Sequence, residues 1–447
     1  MPVLDKILIS NFRNIDFQQL EFSPNVNCIT GNNGEGKTNL LDAIYYLSMT
    51  KSAFAANDKF NFRYGQEEFS LSGTYRMENG LQSRFAIKVA QKGEKKITRD
   101  DKAYDKISKH IGTLPVVMVS PSDISLVSDS GEERRKFVNS VLSQMDYAYL
   151  NGLQQYMRLL NQRNKMLKGN VTDRDLLEVV DMRLSVLAQP IYEARKQFAE
   201  ELKPVVSEFY KNISGGQEEV SIAYKSDLEK GRLEDLLRNS FEKDQILKYT
   251  SKGIQRDDFL FEMNEYPIRK CGSQGQQKSF LVALKFAQYE IMKKAYGFSP
   301  ILLLDDIFDK LDFNRISNLI SMVASNDFGQ IFMTDSNKVR LGGIVDRVTA
   351  DRAYFDTSAG AFTPLAIDSE MSPEEMAEGE TSKGVTKEGS KGVNREGSDI
   401  VTGEGSDLVT GEKTEEVTSE GVTKEVSKGV NREGSDVVTG EGMEGEK

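Results

Sequence analysis

The chain has 447 residues, 38% of them hydrophobic, which suffices for a large α/β core and more than one domain. Its single histidine argues against a histidine-based zinc site or a Ser-His-Asp triad. No run approaches the roughly 18 apolar residues of a membrane span, and MPVLDKILIS is too polar for a signal peptide, so we expect a cytoplasmic protein without membrane contact. The net charge of −11 arises in residues 369–447, whereas residues 1–368 carry no net charge. This balance neither indicates nor excludes a nucleic-acid-binding protein.

The N-terminal part of the chain alternates strand-like runs with turns. Its predicted strands are VLDKILISNF (3–12), VNCITG (26–31), FSLSGTYRM (69–77), RFAIKVA (84–90) and PVVMVS (115–120). This region therefore reads as the strand-rich half of a domain.

Between the second and third of these strands lies GNNGEGKT, residues 31–38, which matches the P-loop pattern G-x-x-x-x-G-K-[ST] with a strand before it and an amphipathic helix after it. Backbone N–H groups of such a loop surround an anion at a helix N-terminus. Lys37 would reach the β- and γ-phosphates of ATP and assist catalysis, and the Thr38 hydroxyl would hold Mg²⁺. The predicted ATP-binding residues are Gly31, Asn32, Asn33, Gly34, Glu35, Gly36, Lys37 and Thr38.

From Ser130 the spacing of apolar residues becomes helical, and it stays so up to the turn at Gly215. Pro190 and Pro204 predict kinks or breaks in this stretch. Basic clusters at 92–96, 134–136 and 158–168 could contact nucleic-acid phosphates, although such clusters are more often solvated surfaces.

A second apolar strand ends in paired acids at ILLLDD, residues 301–306. Asp305 is placed to contact the Mg²⁺ shell, and Asp306 to orient or deprotonate an attacking water. Lys37 and Asp305 lie 268 positions apart, which one nucleotide-binding sheet allows only if a domain is inserted between them.

The pattern thus divides the chain into four segments. Residues 1–125 form the N-terminal half of an ATPase head, 126–248 an inserted helical arm, 249–368 the C-terminal half of the head, and 369–447 a low-complexity acidic tail. The tail lacks aromatic residues and repeats SKGVNREGSD-[IV]-VTGEG, so we expect it to be disordered rather than a solenoid.

Several motifs occur together in the order NFRNI, GNNGEGKT, SPSDISLV, GEERRKF, QRNKMLK, RDDFLF, GSQGQQK and ILLLDDIFDKLD. Over roughly residues 1 to 350 this set resembles the RecF family, which is related to SMC heads and ABC ATPases. The resemblance implies an α/β, ABC/SMC-type P-loop ATPase head with a mainly parallel sheet.

The resemblance also implies that ATP-bound dimers have composite sites. SQGQQ, residues 273–277, is similar to the family's signature motif, which faces the partner subunit's P-loop. Ser273, Gly275 and Gln276 would then contact the partner's nucleotide at a helix N-terminus.

Other nucleotide-site residues are implied in the same way. Arg13 in NFRNI resembles the family's nucleotide-contacting arginine, DKLD ending at Asp312 resembles the D-loop, and Thr334 and Asp335 stand where related ATPases sense the γ-phosphate. Ile254-Gln255 departs from the family's usual Pro-His pair.

The resemblance implies a DNA-binding protein of recombinational repair and replication recovery, with a weak, DNA-stimulated ATPase and a part in SOS induction. Its partners would be single-stranded or gapped DNA, a second copy of the chain in an ATP-dependent homodimer, and mediators of the RecR and RecO type. Alternatives are an SMC-like nucleotide-gated clamp, a transporter-type ATPase, which the form SQGQQ disfavours, and a small-molecule kinase.

Overall fold

The computed structural model describes residues 1–169, 173–216, 218–307, 328–337, 349 and 351–365, all within one compact unit, Met1–Glu380. Two predicted features lie outside the described residues: the D-loop at 309–312 and the acidic tail. Among the described residues, no helix combines the length and apolarity needed to cross a membrane.

The described residues form fifteen strands, nine α-helices and five short 3₁₀ helices. The strands are β1 (Val3–Phe12), β2 (Ile15–Glu21), β3 (Val26–Thr30), β4 (Glu68–Arg76), β5 (Gln82–Ala90), β6 (Lys95–Arg99), β7 (Lys102–Ala103), β8 (Val116–Val119), β9 (Val220–Lys225), β10 (Asp258–Met263), β11 (Tyr266–Pro267), β12 (Ile301–Asp305), β13 (Ile331–Asp335), β14 (Arg352–Ser358) and β15 (Ala361–Leu365). The α-helices are α1 (Lys37–Met49), α2 (Ser125–Ser128), α3 (Gly131–Met145), α4 (Tyr147–Lys168), α5 (Arg174–Ser214), α6 (Leu233–Asn239), α7 (Phe241–Leu247), α8 (Ile268–Cys271) and α9 (Gln274–Tyr296). The 3₁₀ helices are Asp58–Phe60, Ile107–Lys109, Pro121–Ile124, Asp227–Lys230 and Ile254–Arg256.

A six-stranded sheet in the order β15-β14-β3-β13-β12-β8 forms the centre of the fold. All of its strand pairs are parallel except the edge pair β14–β15. Every residue of β3, β8, β12 and β13 is buried, as expected for parallel strands covered on both faces. The predicted mainly parallel sheet is confirmed.

A second sheet, β2-β1-β4-β5-β6-β7, is entirely antiparallel. Its strands alternate buried and exposed residues, so one face is covered, and α1 shares a hydrophobic core with this face and with the parallel sheet. The sequence predicted β1, β4 and β5 as strands, but it did not predict a separate antiparallel sheet. The P-loop helix α1 is therefore packed between two sheets.

The second hydrophobic core unites residues of the parallel sheet with residues of α3, α4, α5 and α9. A small antiparallel sheet, β11-β10-β9, joins it and pairs a strand from each side of the predicted boundary between 248 and 249. The division into head and arm stays a prediction.

The helical region departs from the sequence prediction at two points. The helix predicted to start at Ser130 ends at Met145, because Asp146 is extended and caps α4 by accepting from the Ala148 N–H at 2.7 Å. Conversely, α5 runs unbroken for 41 residues through Pro190 and Pro204, so of the predicted kinks or breaks the breaks are wrong and the kinks stay a prediction. Its buried face offsets the hydrogen bonds that the prolines cannot make.

Candidate nucleotide-binding site

The candidate site lies where β3, β12 and β13 end at the same edge of the parallel sheet. Asp305 pairs in register with Thr334, and Asp335 pairs with Thr30, the residue that precedes the P-loop. Ligands of open α/β sheets bind at this carboxyl edge. The fold thus brings the P-loop and the paired acids together across 268 positions of sequence.

Two glycines set the path of the P-loop. Gly31 has φ 144°, and a Cβ there would lie 2.5 Å from the Thr357 carbonyl oxygen. Gly36, the N-cap of α1, has φ 114°, and a Cβ there would lie 2.8 Å from Asn14 Nδ2. Both positions combine a backbone conformation that favours glycine with a close neighbour.

The loop presents an anion-binding surface at the start of α1. Within the described part of the chain, the backbone N–H groups of Gly34, Gly36, Lys37 and Thr38 donate to no protein acceptor. Lys37 is buried and its Nζ donates to the carbonyl oxygens of Gly31 and Asn32 at 2.8 and 3.1 Å and to Asn33 Oδ1 at 3.4 Å. All three acceptors are uncharged, so the ammonium charge is available to a phosphate.

Glu35 fixes the tip of the loop. Its carboxylate accepts from the Asn32 N–H at 3.0 Å and from Asn32 Nδ2 at 3.1 Å. The Glu35 side chain is thereby engaged within the loop, which assigns it a shaping role beside the predicted phosphate contacts.

The predicted metal residues meet directly. Thr38 Oγ1 donates to the Asp305 carboxylate, at 2.9 and 3.0 Å from its two oxygens. Thr334 Oγ1 also donates to Asp305 at 2.9 Å and accepts from the Asp306 N–H at 3.0 Å. Burial raises the pKa of Asp305, while the hydrogen bonds from Thr334 and Thr38 oppose that shift.

This donor set fits Mg²⁺. The Thr38 hydroxyl and the Asp305 carboxylate are hard oxygen donors, the type that Mg²⁺ prefers. Neighbouring ligands of an octahedral Mg²⁺, each about 2.0–2.1 Å from the ion, lie roughly 2.9 Å from one another. The observed Thr38–Asp305 separations of 2.9 and 3.0 Å match that spacing.

Comparison with known proteins assigns the chain to a family. Residues 3–341 match the family model described as RecF/RecN/SMC N terminal domain. A protein of Parabacteroides distasonis named DNA replication and repair protein RecF is 43% identical over 81% of this chain and 99% of its own length. This chain belongs to the RecF family.

Two further relatives agree. A Flavobacterium johnsoniae protein with the same name is 43% identical over 76% of this chain and 96% of its own length. A solved structure described as the recombination mediator protein RecF-ATP in the RecFOR pathway has 30% identity and a TM-score of 0.74, covering 82% of this chain and 98% of that one. The RecF resemblance and the α/β head fold predicted from sequence are confirmed.

Asn14 and Gly360 also hold the P-loop of this RecF-family chain, and sequence reasoning missed both. Asn14 Nδ2 and the Gly360 N–H donate to the Glu35 carbonyl oxygen at 3.1 and 2.8 Å. Asn39 Nδ2, in the first turn of α1, donates to Asn14 Oδ1 at 2.7 Å. A Cβ at Gly360 would lie 2.4 Å from the Asn14 carbonyl oxygen, so the β14–β15 turn fits closely against the β1–β2 turn.

Replacing Asn14 by alanine should raise the Kd for ATP about 5- to 30-fold, because two hydrogen bonds that shape the loop, worth about 1–2 kcal/mol together, are lost. Titration of fluorescent ATP measures this effect, and turnover at saturating ATP should stay close to wild type. Asn25→Ala is the matched control. It removes the hydrogen bond to Asp351 from the side chain of Asn25, which lies just before the start of β3, at the end of the strand away from the P-loop. A lower melting temperature with unchanged ATP affinity would contradict the positioning role.

Arg13 takes part in a network of an ion pair and hydrogen bonds with α1 and the turn that follows it. Its guanidinium contacts Asp42 at 2.6 Å and donates to Asn39 and Ser52, both at 2.9 Å. Burial raises the pKa of Asp42, and the neighbouring Arg13 charge opposes that rise. These contacts anchor Arg13 to α1 and to the turn that follows it, while its predicted contact with nucleotide stays a prediction.

The signature segment forms the start of α9. Ser273 Oγ caps the helix by accepting a hydrogen bond from the Gln276 N–H at 3.3 Å. In return, Gln276 Oε1 accepts a hydrogen bond from the Ser273 N–H at 2.7 Å. Gln276 also donates to Glu218 at 2.7 Å. Within the described residues, Ser273, Gly275 and Gln276 make no hydrogen bond to the P-loop of the same chain. Their nucleotide contacts stay predictions.

The structure corrects part of the predicted basic clusters. Arg134 is buried in a bidentate pair with Asp258 at 2.8 and 3.1 Å. Arg163 is fully buried and contacts Asp181 and Asp244 at 2.6 and 2.7 Å. The prediction that these two arginines offer phosphate contacts is wrong, because acids from distant segments neutralise them inside the fold.

Proposed function

We propose that this chain is an ATP-dependent DNA-binding protein of recombinational repair and replication recovery. The contact between Thr38 of the P-loop and Asp305 of the central sheet carries the proposal, since these two oxygen donors suit the Mg²⁺ of a bound nucleotide. The 43% identical relative named DNA replication and repair protein RecF supplies the process. In this proposal the protein acts in the cytoplasm, where its DNA substrate lies.

In the proposed cycle, ATP binds between two copies of the chain and holds them together as a homodimer. Two P-loops would each face the Ser273–Gln277 segment of the other copy, whose helix N-terminus favours a phosphate anion. The exposed position of Ser273 at the start of α9 supports this arrangement. Closure on single-stranded or gapped DNA would let mediators of the RecR and RecO type load recombinase, which supports SOS induction.

Hydrolysis would be slow and DNA-stimulated, and it would release the dimer. Asp306, next to Asp305 on β12, is the proposed residue that orients or deprotonates the attacking water. Lys37 would stabilise charge on the transferred phosphoryl group.

A second candidate is a nucleotide-gated clamp in which hydrolysis only resets the dimer. The packing of the long helices α4 and α5 against each other, together with the match to a family model that includes SMC proteins, favours this alternative. The two candidates differ in whether DNA release depends on ATP turnover.

Sedimentation velocity tests the proposal. Full-length protein should be monomeric alone, dimeric with ATP and Mg²⁺, and sediment with a gapped duplex when ATP is present. Lys37→Ala is the matched control and should stay monomeric, because it removes the ammonium that binds the phosphates. A wild-type protein that remains monomeric in every mixture would overturn the composite-site mechanism.

A further inference from the structure

A cleft of about 680 Å³ lies between the C-terminal end of α1 and the helices α3 and α4. Its walls also include the turn around residues 106–111. A neighbouring cavity of about 900 Å³ shares Lys51, Lys136 and Ser140 with it and is also lined by Asp58, Asp123 and Glu133, and we refer to the two cavities together as the groove. The groove is separate from the P-loop residues 31–38, which line neither cavity.

The lining of the first cavity is basic and contains no acidic residue. Lys51, Lys106, Lys136 and Arg158 contribute its charges from four different elements. Lys136 pairs with Glu132 and Glu133 at 3.0 and 2.8 Å, whereas Lys51, Lys106 and Arg158 form no ion pair with any described residue. Three cations in one cleft therefore have no described carboxylate partner.

The charges of Lys51 and Lys136 lie near each other in this cleft. Burial of the Lys51 ammonium and the nearby charge of Lys136 both lower the pKa of Lys51. A bound anion would relieve both effects, because it replaces lost hydration and screens the repulsion.

The remaining polar lining suits a phosphodiester backbone. Hydroxyl and amide groups from Ser108, Ser143, Asn151 and Gln154 lie among the cations. Side chains of these types, together with lysine and arginine, supply the sequence-independent contacts to nucleic-acid phosphates and sugars. Because the cations come from separate elements along the walls, they suit an extended anion better than a single small one.

We propose that this basic cleft, defined by Lys51, Lys106, Lys136 and Arg158, holds the phosphate backbone of DNA. The assignment rests on the proposed function and adds to it the surface where DNA binds. Helix α1 links this surface to the candidate nucleotide site, since its 13 residues run from Lys37 to Met49, a length of roughly 20 Å.

The turn that carries Lys51 is fixed to α1 on the same side. Asp42 accepts from Ser52 Oγ at 2.8 Å and from the Ala53 N–H at 2.7 Å, and Arg13 contacts both Asp42 and Ser52. A change at the P-loop can thus reach the DNA surface through a single helix and one hydrogen-bond network.

The test compares two double charge reversals of equal size in the full-length protein. Lys51→Glu with Arg158→Glu alters the cleft, and Lys196→Glu with Lys203→Glu alters exposed lysines on α5, outside the predicted basic clusters. Fluorescence anisotropy with a labelled gapped duplex, at several salt concentrations and with ATP, measures binding. The cleft variant should bind about tenfold or more weakly, with a salt slope reduced by about 2, and the control should match wild type.

Further arms separate the possible outcomes. The neutral pair Lys51→Gln with Arg158→Gln should also lower the salt slope, which keeps the test valid if the reversals disturb folding. Equal losses in the cleft and control variants, or unchanged binding by both cleft variants, would overturn the assignment while DNA binding itself stands. If inorganic phosphate or polyglutamate displaces the labelled duplex as strongly as unlabelled DNA does, the DNA assignment is overturned and the cleft binds a small anion or an acidic peptide instead. Wild-type protein that binds no DNA would overturn the proposed function as well.

Discussion

Replacing Asp306 by asparagine is expected to lower ATP turnover about 10²- to 10⁴-fold, with ATP affinity close to wild type. Asparagine keeps the shape of the side chain but cannot accept a proton as a carboxylate does. Asp306 lies directly after Asp305, and its N–H donates to Thr334 at 3.0 Å, so its backbone is fixed beside the candidate metal site. Its φ of 42° is strained for a residue with a side chain, a feature that concentrates at functional sites.

Single-turnover and steady-state assays measure this loss, and nucleotide titration measures the retained affinity. Asp175→Asn, at an exposed carboxylate in the first turn of α5, should leave both quantities unchanged. If Asp306→Asn also abolishes ATP binding, the residue holds the metal instead of activating water. Unchanged turnover would exclude it from the chemistry.

The same variant separates the two candidate functions. A recombinase loader that needs hydrolysis for release should accumulate on gapped DNA with bound ATP. DNA release at the wild-type rate would contradict that role and favour a clamp whose DNA contacts do not depend on turnover.

The P-loop and Asp305, the predicted metal ligand beside it, could both be predicted from the sequence because each belongs to a local pattern. Residues 31–38 follow a strand and precede a helix, and Asp305 ends an apolar strand, so each pattern indicates its own position at the carboxyl edge of a parallel sheet. The Thr38–Asp305 contact then follows from strand order.

Asn14 and Gly360 could not be predicted in that way. They meet Glu35 from segments at opposite ends of the head. Asn14 belongs to NFRNI, but that motif indicates a nucleotide contact of Arg13 and does not identify Glu35 as a partner, and Gly360 belongs to no motif. A conformational signal existed only for Gly360, since a glycine after a strand predicts a turn. The contact of this turn with the P-loop is a property of the tertiary fold.

The buried arginines illustrate the opposite error. Arg134 and Arg163 lie in basic runs that resemble a solvated or DNA-binding surface in sequence. Their partners Asp258, Asp181 and Asp244 come from distant positions, so local charge counting cannot show that the arginines are neutralised. The exposed Arg158, in the same run as Arg163, lines the basic cleft instead.

Mixing two inactive variants is expected to restore ATP turnover if each site combines one chain's P-loop with the other chain's signature segment. Lys37→Ala removes the phosphate-binding ammonium, and Ser273→Asp places a negative charge where the partner's γ-phosphate would lie. Aspartate caps a helix about as well as serine, so α9 should keep its N-terminus. Each variant alone should lose about 10²-fold or more in turnover.

In a mixed dimer, the P-loop of the Ser273→Asp chain faces the intact signature of the Lys37→Ala chain, so one of the two sites is complete. Lys37→Ala does not dimerise with itself, and each mixed dimer has one complete site out of two, so recovery is limited to at most about half of wild-type turnover. Ser273→Asn keeps both the cap and the neutral charge, so it serves as the control and should stay active. A mixture no more active than the sum of its parts would show that Ser273 acts, if at all, on the nucleotide of its own chain.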